Sequence, residues 1–504
     1  MIHICAVQRT PDTTPPARLE RTVAGPPSEV LVHRATGALI GAAVGDALGA
    51  PFEFRPGGGY RARFPQPVLA GRGEMVGNRM WEPGEFTDDT QMAVLLGQSL
   101  ADQHGFDAAD VFERFRAWLR SNPKDVGIST RAVLRSSDAW DRAAGAYFQA
   151  NPRGAAGNGS LMRTIPAALH FAASGRDVTM RAAKAQSDLT HGDPAAAAGC
   201  AIYHELVRVA LLGDDPIAAL PPALDAVVEL GIVGTEGRAR YDTMLAPGWQ
   251  PTDPGPANGS VWGALAQTIW SVRRGGSYAD MVTRVIDLGD DADTVGAICG
   301  GLAGAIHGMG GIPSRWTAYL HGYVLGRRYD LDDLQVLGRR LVVAGVAPLF
   351  EAESHLPAVE VAPGFWVGNH ATAEAADPKL AVISLCRMKQ RLADRPLRRT
   401  AYLVDKVNGP DAAQDHNPAI QTVLDDVLDS IDAFRDAGQP VLVHCWGGRS
   451  RTGLVLRSWL VRHEGLTAAE ATVRAQRVWP ATDTWNDTFT EALAIFAART
   501  GDRS

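Results

Sequence analysis

The sequence contains few cysteines, and none of them forms a CxxC pair. The five cysteines stand at positions 5, 200, 299, 386 and 445. This scatter excludes the paired spacing of a structural zinc site and gives no indication of a disulfide framework. Lys and Arg form no long runs and the formal net charge is −7, which argues against nucleic acid as the main partner.

Long apolar runs are also missing. The most apolar stretch, residues 294–311, is too short to span a bilayer and directly follows three aspartates, so we expect no membrane segment. The first 20 residues lack the charged and apolar regions of a signal peptide. Together with the cysteine pattern, these features favour a cytoplasmic location. Residues 1–32 are rich in Pro, Thr and Arg, and we expect them to form a disordered leader.

The remaining chain changes character near residue 330. Its 504 residues are too many for one ordinary core, and 46% hydrophobic residues are typical of globular proteins. Residues 33–328 show helical spacing and predict an all-α domain. Residues 329–357 predict a linker helix. Residues 358–504 alternate β-like runs with helices, which predicts an α/β domain with a mainly parallel central sheet.

Several local patterns predict individual elements. Residues 108–120 place four apolar side chains on one face of a helix: Val111, Phe112, Phe115 and Trp118. Four glycines follow one another at helical spacing, which indicates close approach to another helix: Gly296, Gly300, Gly304 and Gly308. Residues 422–438 predict an amphipathic helix that stops at Gly438. Four runs predict strands: 364–369, 380–386, 401–405 and 440–445.

The stretch GEFTDDTQMA, residues 84–93, sets two adjacent carboxylates at the edge of an apolar run. Thr87 and Thr90 flank Asp88 and Asp89. One interpretation is helix capping, because a helix N-terminus favours acidic residues, and Asp88 with Gln91 fits a capping box.

A second acidic cluster offers another interpretation. Asp290, Asp291, Asp293 and Thr294 stand just before the glycine-rich helix. Two helix starts that each combine Asp with Thr indicate convergence on one site. Carboxylate and hydroxyl oxygens are the ligands of hard cations such as Mg²⁺ or Mn²⁺. A pair of such cations would neutralise carboxylates that otherwise repel each other.

Five motifs in this order resemble the ADP-ribosylglycohydrolase family, which includes the enzyme that reactivates dinitrogen reductase. The motifs are GALIGAAVGDALGAPFE (37–53), FTDDTQM (86–92), NGSLMR (158–163), THGDP (190–194) and GDDADTVGAICGGLAGA (289–305). The resemblance implies an all-α fold with two Mg²⁺ or Mn²⁺ ions. It also implies removal of ADP-ribose from a modified protein or a small ADP-ribosyl conjugate.

The same resemblance implies roles for individual residues. Six of them would hold the metals: Thr87, Asp88, Asp89, Asp291, Asp293 and Thr294. Asp290 falls where the family motif varies and is left out. Glu53 would be a base or a substrate gate. Four further residues would line the ADP-ribose cleft or match a family motif beside it: Asn158, Gly159, Ser160 and His191. Taken alone, Glu53 also fits a solvated carboxylate, residues 158–160 fit a plain turn and His191 fits a structural histidine.

A different motif lies near the C-terminus. The strand-like run VLVHC is followed by a short loop with Cys445, Gly448 and Arg451, and then by a helix. The N–H groups of such a loop form an anion cradle and favour the thiolate form of the cysteine. Arg451 can bind phosphate oxygens in a bidentate way, and Gly448 permits the turn. The alternative is a small buried cysteine without a chemical role.

The pattern HCxxGxxRT resembles the Cys-dependent protein-tyrosine and dual-specificity phosphatases, over about residues 358–500. This resemblance implies that Cys445 attacks phosphorus, that Arg451 binds the phosphate and that Thr452 assists departure of the thiolate. A general acid is also implied. Asp411 is the first candidate, Asp415 the second, and Asp405 also lies in that stretch, although each is also a common turn residue.

The sequence therefore predicts a bifunctional hydrolase. Its partners would be an ADP-ribosylated protein or small ADP-ribosyl conjugate, and a phosphorylated protein or small phosphate ester. The alternative is that one half is a non-catalytic module that binds ADP-ribose or phosphate. The motifs fit ADP-ribose linkages to Arg, Ser, a base or a small molecule equally well.

Overall fold

The computed structural model describes residues 17–21, 28–343 apart from 153 and 155, 357–388, 392, 395–405 and 417–501. Within these ranges a helical domain is followed by an α/β domain, which confirms the predicted fold class.

The centre of the helical domain is an antiparallel pair of helices, α1 (Glu29–Gly49) and α14 (Ala292–His307). Three glycines of each helix face each other so closely that a Cβ atom would meet the partner's backbone: Gly37 with Gly304, Gly41 with Gly300 and Gly45 with Gly296. The predicted close approach is therefore confirmed, with α1 as the partner. Gly308 has another role, since it ends α14 with φ of 67°.

Further helices surround this pair: α2 (Gly59–Arg63), α3 (Asp88–Gln103), α4 (Ala108–Arg120), α5 (Ile128–Arg135), α6 (Ala143–Ala150), α7 (Ile165–Phe171), α8 (Arg176–Ser187), α9 (Pro194–Leu212), α10 (Leu220–Glu229), α11 (Thr235–Met244), α12 (Val261–Arg273), α13 (Tyr278–Ile286), α15 (Ser314–Thr317) and α16 (Leu331–Val342). The predicted apolar face of α4 is buried. Two small antiparallel two-stranded sheets complete the domain: β1 (Arg18–Glu20) with β2 (Gly105–Asp107), and β3 (His321–Val324) with β4 (Arg327–Asp330).

The described parts of the leader and of the linker differ from their predictions. Strand β1 lies in the expected disordered leader, 1–32, and is ordered by antiparallel pairing with β2. Helix α1 begins within that leader because Ser28 caps it. Helix α16 occupies the expected linker, 329–357, but it belongs to the helical domain because its apolar face is buried there: Leu331, Leu334, Leu337 and Leu341. The rest of the leader and the linker lie outside the described residues.

Within the described ranges, two helices are long and apolar enough to cross a membrane by length and composition. They are Glu29–Phe52, which is α1 with the 3-10 turn that follows it, and Pro194–Leu212. The apolar stretch of the first is entirely buried and that of the second mostly buried. Core helices of soluble proteins show the same combination.

The second domain is built on a five-stranded sheet in the order β5-β6-β9-β7-β8. Its strands are β5 (Val359–Ala362), β6 (Phe365–Asn369), β7 (Ala381–Ser384), β8 (Arg398–Thr400) and β9 (Val441–Cys445). The four strands from β6 to β8 in this order are parallel, and β5 is antiparallel to β6. The predicted mainly parallel sheet is confirmed.

The helices of this domain are α17 (His370–Ala375), α18 (Ile420–Asp436), α19 (Ser450–Glu464), α20 (Ala468–Val478) and α21 (Asp487–Gly501). Helix α18 buries the predicted apolar face and is followed by Gly438 with φ of 70°. The predicted strand at 401–405 is wrong. Strand β8 ends at Thr400, and the backbone of Val404 exchanges hydrogen bonds with the Asn417 side chain in place of a neighbouring strand.

Candidate functional site

The first acidic cluster lies at the start of α3. Thr87 is the N-cap, and its hydroxyl accepts a hydrogen bond from the Asp89 N–H at 3.4 Å. Asp88 and Asp89 therefore stand in the first turn, so the capping box with Asp88 as the cap is wrong. The Gln91 side chain instead accepts a hydrogen bond from the Trp118 indole at 2.8 Å. Since Thr87 caps the helix, the two buried carboxylates are free for another role.

Asp46, which the sequence analysis did not single out, holds this helix start in place. Its carboxylate accepts hydrogen bonds from the N–H groups of Thr87 and Thr90, at 3.0 and 3.1 Å, and from the Thr90 hydroxyl at 2.5 Å. Asp46 is fully buried near the end of α1. The available signal was an aspartate inside a helix that otherwise contains mainly Ala, Gly, Leu and Val.

The second acidic cluster meets the first from the start of α14. Asp291 is the N-cap residue and Asp293 stands in the first turn. Carboxylate oxygens of Glu53, Asp291 and Asp293 lie within 4.8 Å of one another. Thr294 donates its N–H to Asp293 at 2.8 Å. Asp89, at the α3 start, interacts with the side chains of Asp291 and Thr294, so the two helix starts meet as the sequence predicts.

A backbone bridge brings Glu53 to this site. The Phe54 N–H donates to the Asp290 carbonyl at 2.6 Å, and the Asp290 N–H donates to the Arg55 carbonyl at 2.9 Å. Asp290 itself is exposed and has φ of 57°. Its contribution to the site is therefore made through its backbone, which agrees with leaving its side chain out of the ligand set.

Burial and mutual repulsion dominate the electrostatics of the site. Burial raises the pKa of Asp46 to about 6. Burial and the nearby Asp125, Asp291 and Asp46 raise the pKa of Glu53 to about 8. Burial and neighbouring carboxylates also raise the pKa values of three further residues: Asp88, Asp89 and Asp293.

A cation fits this arrangement. One carboxylate oxygen of Asp89, Oδ1, is buried and has no hydrogen-bond partner among the described residues. A buried unpaired carboxylate oxygen is costly unless a positive charge compensates it. The oxygen donors around it, carboxylates and threonine hydroxyls, are those that hard divalent cations prefer.

Asp125 is a second carboxylate that sequence reasoning missed. It lies in the loop between α4 and α5 and is among the charges that raise the pKa values of Asp88 and Glu53. A single aspartate in the polar loop SNPKDVG carries no signal in the sequence, because only the fold brings it to the cluster.

The predicted cleft residues divide into two groups. Asn158 reaches the acidic cluster, since its amide donates to Asp291 at 2.7 Å and to the Asn258 carbonyl at 2.8 Å. The Ser160 hydroxyl lies in the core and bonds the Ser187 hydroxyl at 2.8 Å. Gly159 lies against the His191 ring, so that a Cβ atom there would be 3.2 Å from Nε2.

His191 is buried beneath this turn. Its Nδ1 bonds the Thr190 hydroxyl at 2.8 Å. Burial and the nearby Arg163 cation lower the pKa of His191 to about 3, so the ring is neutral. The structure therefore places His191 as a neutral support of the Asn158 turn.

The loop after β9 forms the second site. Cys445 ends the central strand β9 and is buried, and α19 begins five residues later. Gly448 has φ of 69°, and a Cβ atom there would lie 2.8 Å from the Gly368 carbonyl oxygen. The Trp479 indole donates to the Gly448 carbonyl at 2.7 Å. Glycine is thus required at 448 for both its backbone angle and its space.

Arg451 is fixed beside this loop. Its Nη1 donates to the carbonyls of Leu385 and Leu403, at 3.2 and 3.4 Å. Its Nε lies 3.4 Å from Asp405 Oδ2. Burial opposes the charge of Arg451, but the nearby Cys445, Cys386 and Asp405 raise its pKa, so that a permanent cation stands next to Cys445.

The remaining predicted residues of this site are Thr452 and the candidate general acids. The Thr452 hydroxyl is buried and finds no hydrogen-bond partner in the described part of the chain. Asp411 and Asp415 lie outside the described residues, so the choice of Asp411 stays a prediction. Of the three aspartates, Asp405 is the one that the structure describes, and its carboxylate lies beside the Arg451 guanidinium.

Comparisons with known proteins match both domains of the chain. The ADP-ribosylglycohydrolase family model matches residues 27–348, and the dual specificity phosphatase catalytic domain matches residues 380–494. The ADP-ribosyl-[dinitrogen reductase] glycohydrolase of Rhodospirillum rubrum is 32% identical over 291 residues, 57% of this chain and 91% of the relative. The ADP-ribosylarginine hydrolase Tri1 of Pseudomonas putida (strain GB-1) is 30% identical over 299 residues, 57% and 74% of the two chains.

Among solved structures, an ADP-ribosylglycohydrolase-related protein complex is 31% identical, with a TM-score of 0.47, and covers 62% of this chain and 99% of its own. The first family model spans well over half of the sequence, and the second spans the Cys445 loop. The chain therefore belongs to the ADP-ribosylglycohydrolase family and carries a C-terminal dual-specificity phosphatase domain, so that it joins a glycosidase to a phosphatase.

Proposed function

We propose that this chain is a bifunctional hydrolase, in which a metal-dependent site removes ADP-ribose from modified side chains and a separate cysteine site hydrolyses phosphate monoesters. Two observations support the first activity: the two acidic helix starts meet, and Asp89 Oδ1 is buried without a hydrogen-bond partner among the described residues. The constrained loop from Cys445 to Arg451 supports the second.

Six residues would hold a pair of Mg²⁺ or Mn²⁺ ions: Thr87, Asp88, Asp89, Asp291, Asp293 and Thr294. When bound, such ions would fix the ribose hydroxyls and lower the pKa of a water molecule. The neighbouring Asp46 is engaged by three hydrogen bonds from the α3 start, so its role is to position that helix.

The residues around the metals suit glycoside cleavage. Hydrolysis breaks the bond from the anomeric carbon to nitrogen or oxygen, adds a hydroxyl to that carbon and returns a proton to the leaving group. Positive charge develops at the anomeric carbon, and a carboxylate-rich cleft stabilises it. Glu53 would accept the proton of the attacking water or close over the substrate, and Asn158 would orient the cleft through Asp291.

Arginine-linked ADP-ribose is the first substrate class to test. The Tri1 relative is named an ADP-ribosylarginine hydrolase. Glu53 and Asp125 lie close enough for their charges to interact at this site. Two carboxylates in that position would suit a guanidinium leaving group, because guanidinium forms bidentate hydrogen bonds with carboxylates.

The corresponding experiment compares matched peptides that carry ADP-ribose on Arg or on Ser, with full-length protein in Mg²⁺ and in chelator. We expect release of ADP-ribose from the Arg-linked peptide in Mg²⁺ and little in chelator. Faster release from the Ser-linked peptide would overturn the choice of linkage. Equal release with and without metal would overturn the metal-dependent mechanism.

The phosphatase half would act through a covalent intermediate. The Cys445 thiolate attacks phosphorus and forms a thiophosphate ester, while the alcohol leaves with a proton from an acid. Water then attacks phosphorus and gives a proton to the same acid group, now a base, while the S–P bond breaks, inorganic phosphate is released and Thr452 assists departure of the thiolate. Arg451 would bind the phosphate oxygens throughout.

The general acid can be assigned by comparing two variants. Asp411→Asn should slow turnover of alkyl phosphates by about 10²-fold or more and spare aryl phosphates, because only a poor leaving group needs the proton. Asp405→Asn should slow both substrate classes, because Asp405 lies beside Arg451. Selective loss of alkyl phosphate turnover in Asp405→Asn alone would make Asp405 the acid. If neither variant is selective, a non-catalytic phosphate-binding module becomes the better description of this half.

A further inference from the structure

The two domains meet at one end of the α1–α14 pair. The His33 ring of α1 stacks on the Tyr402 ring of the phosphatase domain, with centroids 5.0 Å apart and planes 23° apart. The Gly310 N–H donates to His33 Nε2 at 3.2 Å. A Cβ atom at Gly310 would lie 3.2 Å from the Tyr402 carbonyl oxygen and 3.0 Å from Val423. The helical domain therefore contacts both the ring and the backbone of Tyr402.

Buried polar contacts join the same two surfaces. Arg399 is almost completely buried, and its Nη2 donates to the Leu69 carbonyl at 2.5 Å. The Ser314 N–H donates to Asp426 Oδ2 at 3.0 Å. Because buried polar groups are costly without partners, the two domains are held in one arrangement at this boundary.

A short segment of the phosphatase domain runs from this boundary to the catalytic loop. Tyr402 is followed by Leu403, whose carbonyl accepts a hydrogen bond from Arg451 at 3.4 Å. Asp405, three residues after Tyr402, lies 3.4 Å from Arg451 Nε. Tyr402, which the helical domain contacts, is thus directly followed by Leu403, whose carbonyl binds the Arg451 guanidinium.

The sheet does not fix this segment. Strand β8 ends at Thr400, and a last sheet hydrogen bond joins the Ala401 N–H to the Ser384 carbonyl at 2.9 Å. Beyond it, Val404 bonds to the Asn417 side chain. The Tyr402 ring is thus one of the contacts that fix the Leu403 carbonyl, together with the buried Leu403 side chain and the Asn417 bonds to Val404. Arg387, whose Cζ lies 5.2 Å from the ring centroid, supplies one contact from within the domain.

We propose that Tyr402 is a positioning residue of the phosphatase site and that His33, from the helical domain, fixes it. The stacked pair holds the Leu403 carbonyl and Asp405 where they orient Arg451 toward phosphate. The phosphatase site is in this sense completed by the neighbouring domain. The inference rests on the proposed phosphate-ester chemistry of Cys445 and Arg451, since Tyr402 acts through Arg451.

The test uses full-length variants and two readouts, kcat/KM for para-nitrophenyl phosphate and the inhibition constant of orthovanadate. Tyr402→Leu and His33→Leu should each lower kcat/KM and raise the vanadate constant by about tenfold, the effect of weakening one hydrogen bond to a charged group. Tyr402→Phe keeps the ring and should behave like the unaltered protein. His463→Leu is the matched control, because His463 stacks on Trp459 with centroids 4.7 Å apart.

The outcomes separate this inference from the proposed activity. An unaltered protein that neither hydrolyses the ester nor binds vanadate would overturn the phosphatase itself. An active protein whose His33→Leu and Tyr402→Leu variants keep the normal vanadate constant would overturn the positioning role alone. An equal effect of His463→Leu would also overturn it. If Tyr402→Leu fails to fold, His33→Leu decides, with retained ADP-ribosyl hydrolysis as evidence that its helical domain is intact.

Discussion

At the scale of single residues, a buried carboxylate oxygen without a hydrogen-bond partner among the described residues distinguishes Asp89 from an ordinary helix-capping residue. Thr87 already caps α3, so the carboxylate of Asp89 is not needed for that purpose. Its Oδ1 atom is buried without a hydrogen-bond partner among the described residues. Burial and neighbouring carboxylates raise its pKa, which shows that the folded chain without a cation opposes its ionisation.

Asp89→Asn tests this interpretation. The change keeps the shape and removes one negative charge, so the affinity for Mn²⁺ should fall by at least about a hundredfold, more than the effect of losing an outer-shell partner. ADP-ribosyl hydrolysis should fall with it. In chelator the variant should be at least as stable as the unaltered protein, because a repelled charge is gone.

Isothermal titration with Mn²⁺ and thermal unfolding in chelator provide the two measurements. The control is Asp290→Asn, which removes an exposed carboxylate one residue before Asp291. Normal metal affinity in Asp89→Asn would contradict a ligand role. Marked destabilisation in chelator would instead indicate a structural carboxylate.

His204 gives a prediction for the dependence of stability on pH. Its ring is buried, with Nε2 2.6 Å from the Thr164 hydroxyl and Nδ1 3.0 Å from the Thr179 carbonyl. Burial lowers its pKa from 6.5 to about 4. The folded state thus favours the neutral ring. The contribution of the neutral ring to the free energy of unfolding is fully present above pH 6.5 and is lost as the pH falls through 4.

For one histidine this linkage amounts to about 3 kcal/mol. His204→Gln should therefore show a weaker loss of unfolding free energy between pH 7 and pH 4 than the unaltered protein. Urea unfolding at several pH values in chelator measures the difference between the two proteins. Both proteins contain the same carboxylates, so the titration of these groups cancels in that difference. Parallel pH profiles for the two proteins would contradict the assignment.

At the scale of elements, the glycine contacts between α1 and α14 determine how the acidic helix starts meet. A Cβ atom at Gly300 would collide with the Gly41 carbonyl. Gly300→Ala should therefore destabilise the helical domain by about 3 kcal/mol, the upper part of the range for overpacking. It should also weaken metal binding, because it separates Asp46 from Asp293.

Gly145→Ala is the matched control for this prediction. Gly145 lies within α6, and nothing lies within 4 Å of a Cβ atom there. The same substitution should stabilise that helix by about 0.5–1 kcal/mol, because alanine loses less backbone entropy on folding. Urea unfolding of both variants decides the matter. Equal effects would mean that helix propensity alone, without a close contact, determines the result.

The sequence revealed those parts of the sites that are contiguous along the chain. Thr87 to Asp89, Asp291 to Thr294, and Cys445 to Arg451 each occupy one helix start, so local spacing was enough to predict the convergence. Asp46, Asp125 and Tyr402 act through residues distant in sequence, and no periodicity marks them. The strand predicted at 401–405 failed for the same reason, since side-chain bonds to Asn417 replace pairing with a strand.

At the scale of the whole molecule, the two domains share buried polar contacts. The guanidinium of Arg399 bonds to Ser430 in its own domain and to Leu69 in the other, and Asp426 lies close enough to raise its pKa slightly against the lowering effect of burial. The sequence suggested two separable units. The structure joins the two domains by buried polar contacts, although each domain has its own hydrophobic core.

Arg399→Met should uncouple the domains. The change leaves the Leu69 carbonyl without its donor, a destabilising effect of about 1–3 kcal/mol, and removes one cation near Asp426, which keeps Arg315. Differential scanning calorimetry should show one transition for the unaltered protein and two for the variant. Arg395→Met is the control, because Arg395 bonds carbonyls within its own domain. A single transition in Arg399→Met would contradict the coupling.

Helix α1 also sets the distance between the acidic cluster and the contact with the phosphatase domain. Asp46 stands at one of its ends, beside the acidic cluster, and His33 at the other, against the phosphatase domain. Thirteen residues of helix separate them, about 20 Å at 1.5 Å per residue. The contact between the domains therefore lies about 3.6 helical turns from the acidic cluster, so a substitution at His33 is remote from the carboxylates of that cluster.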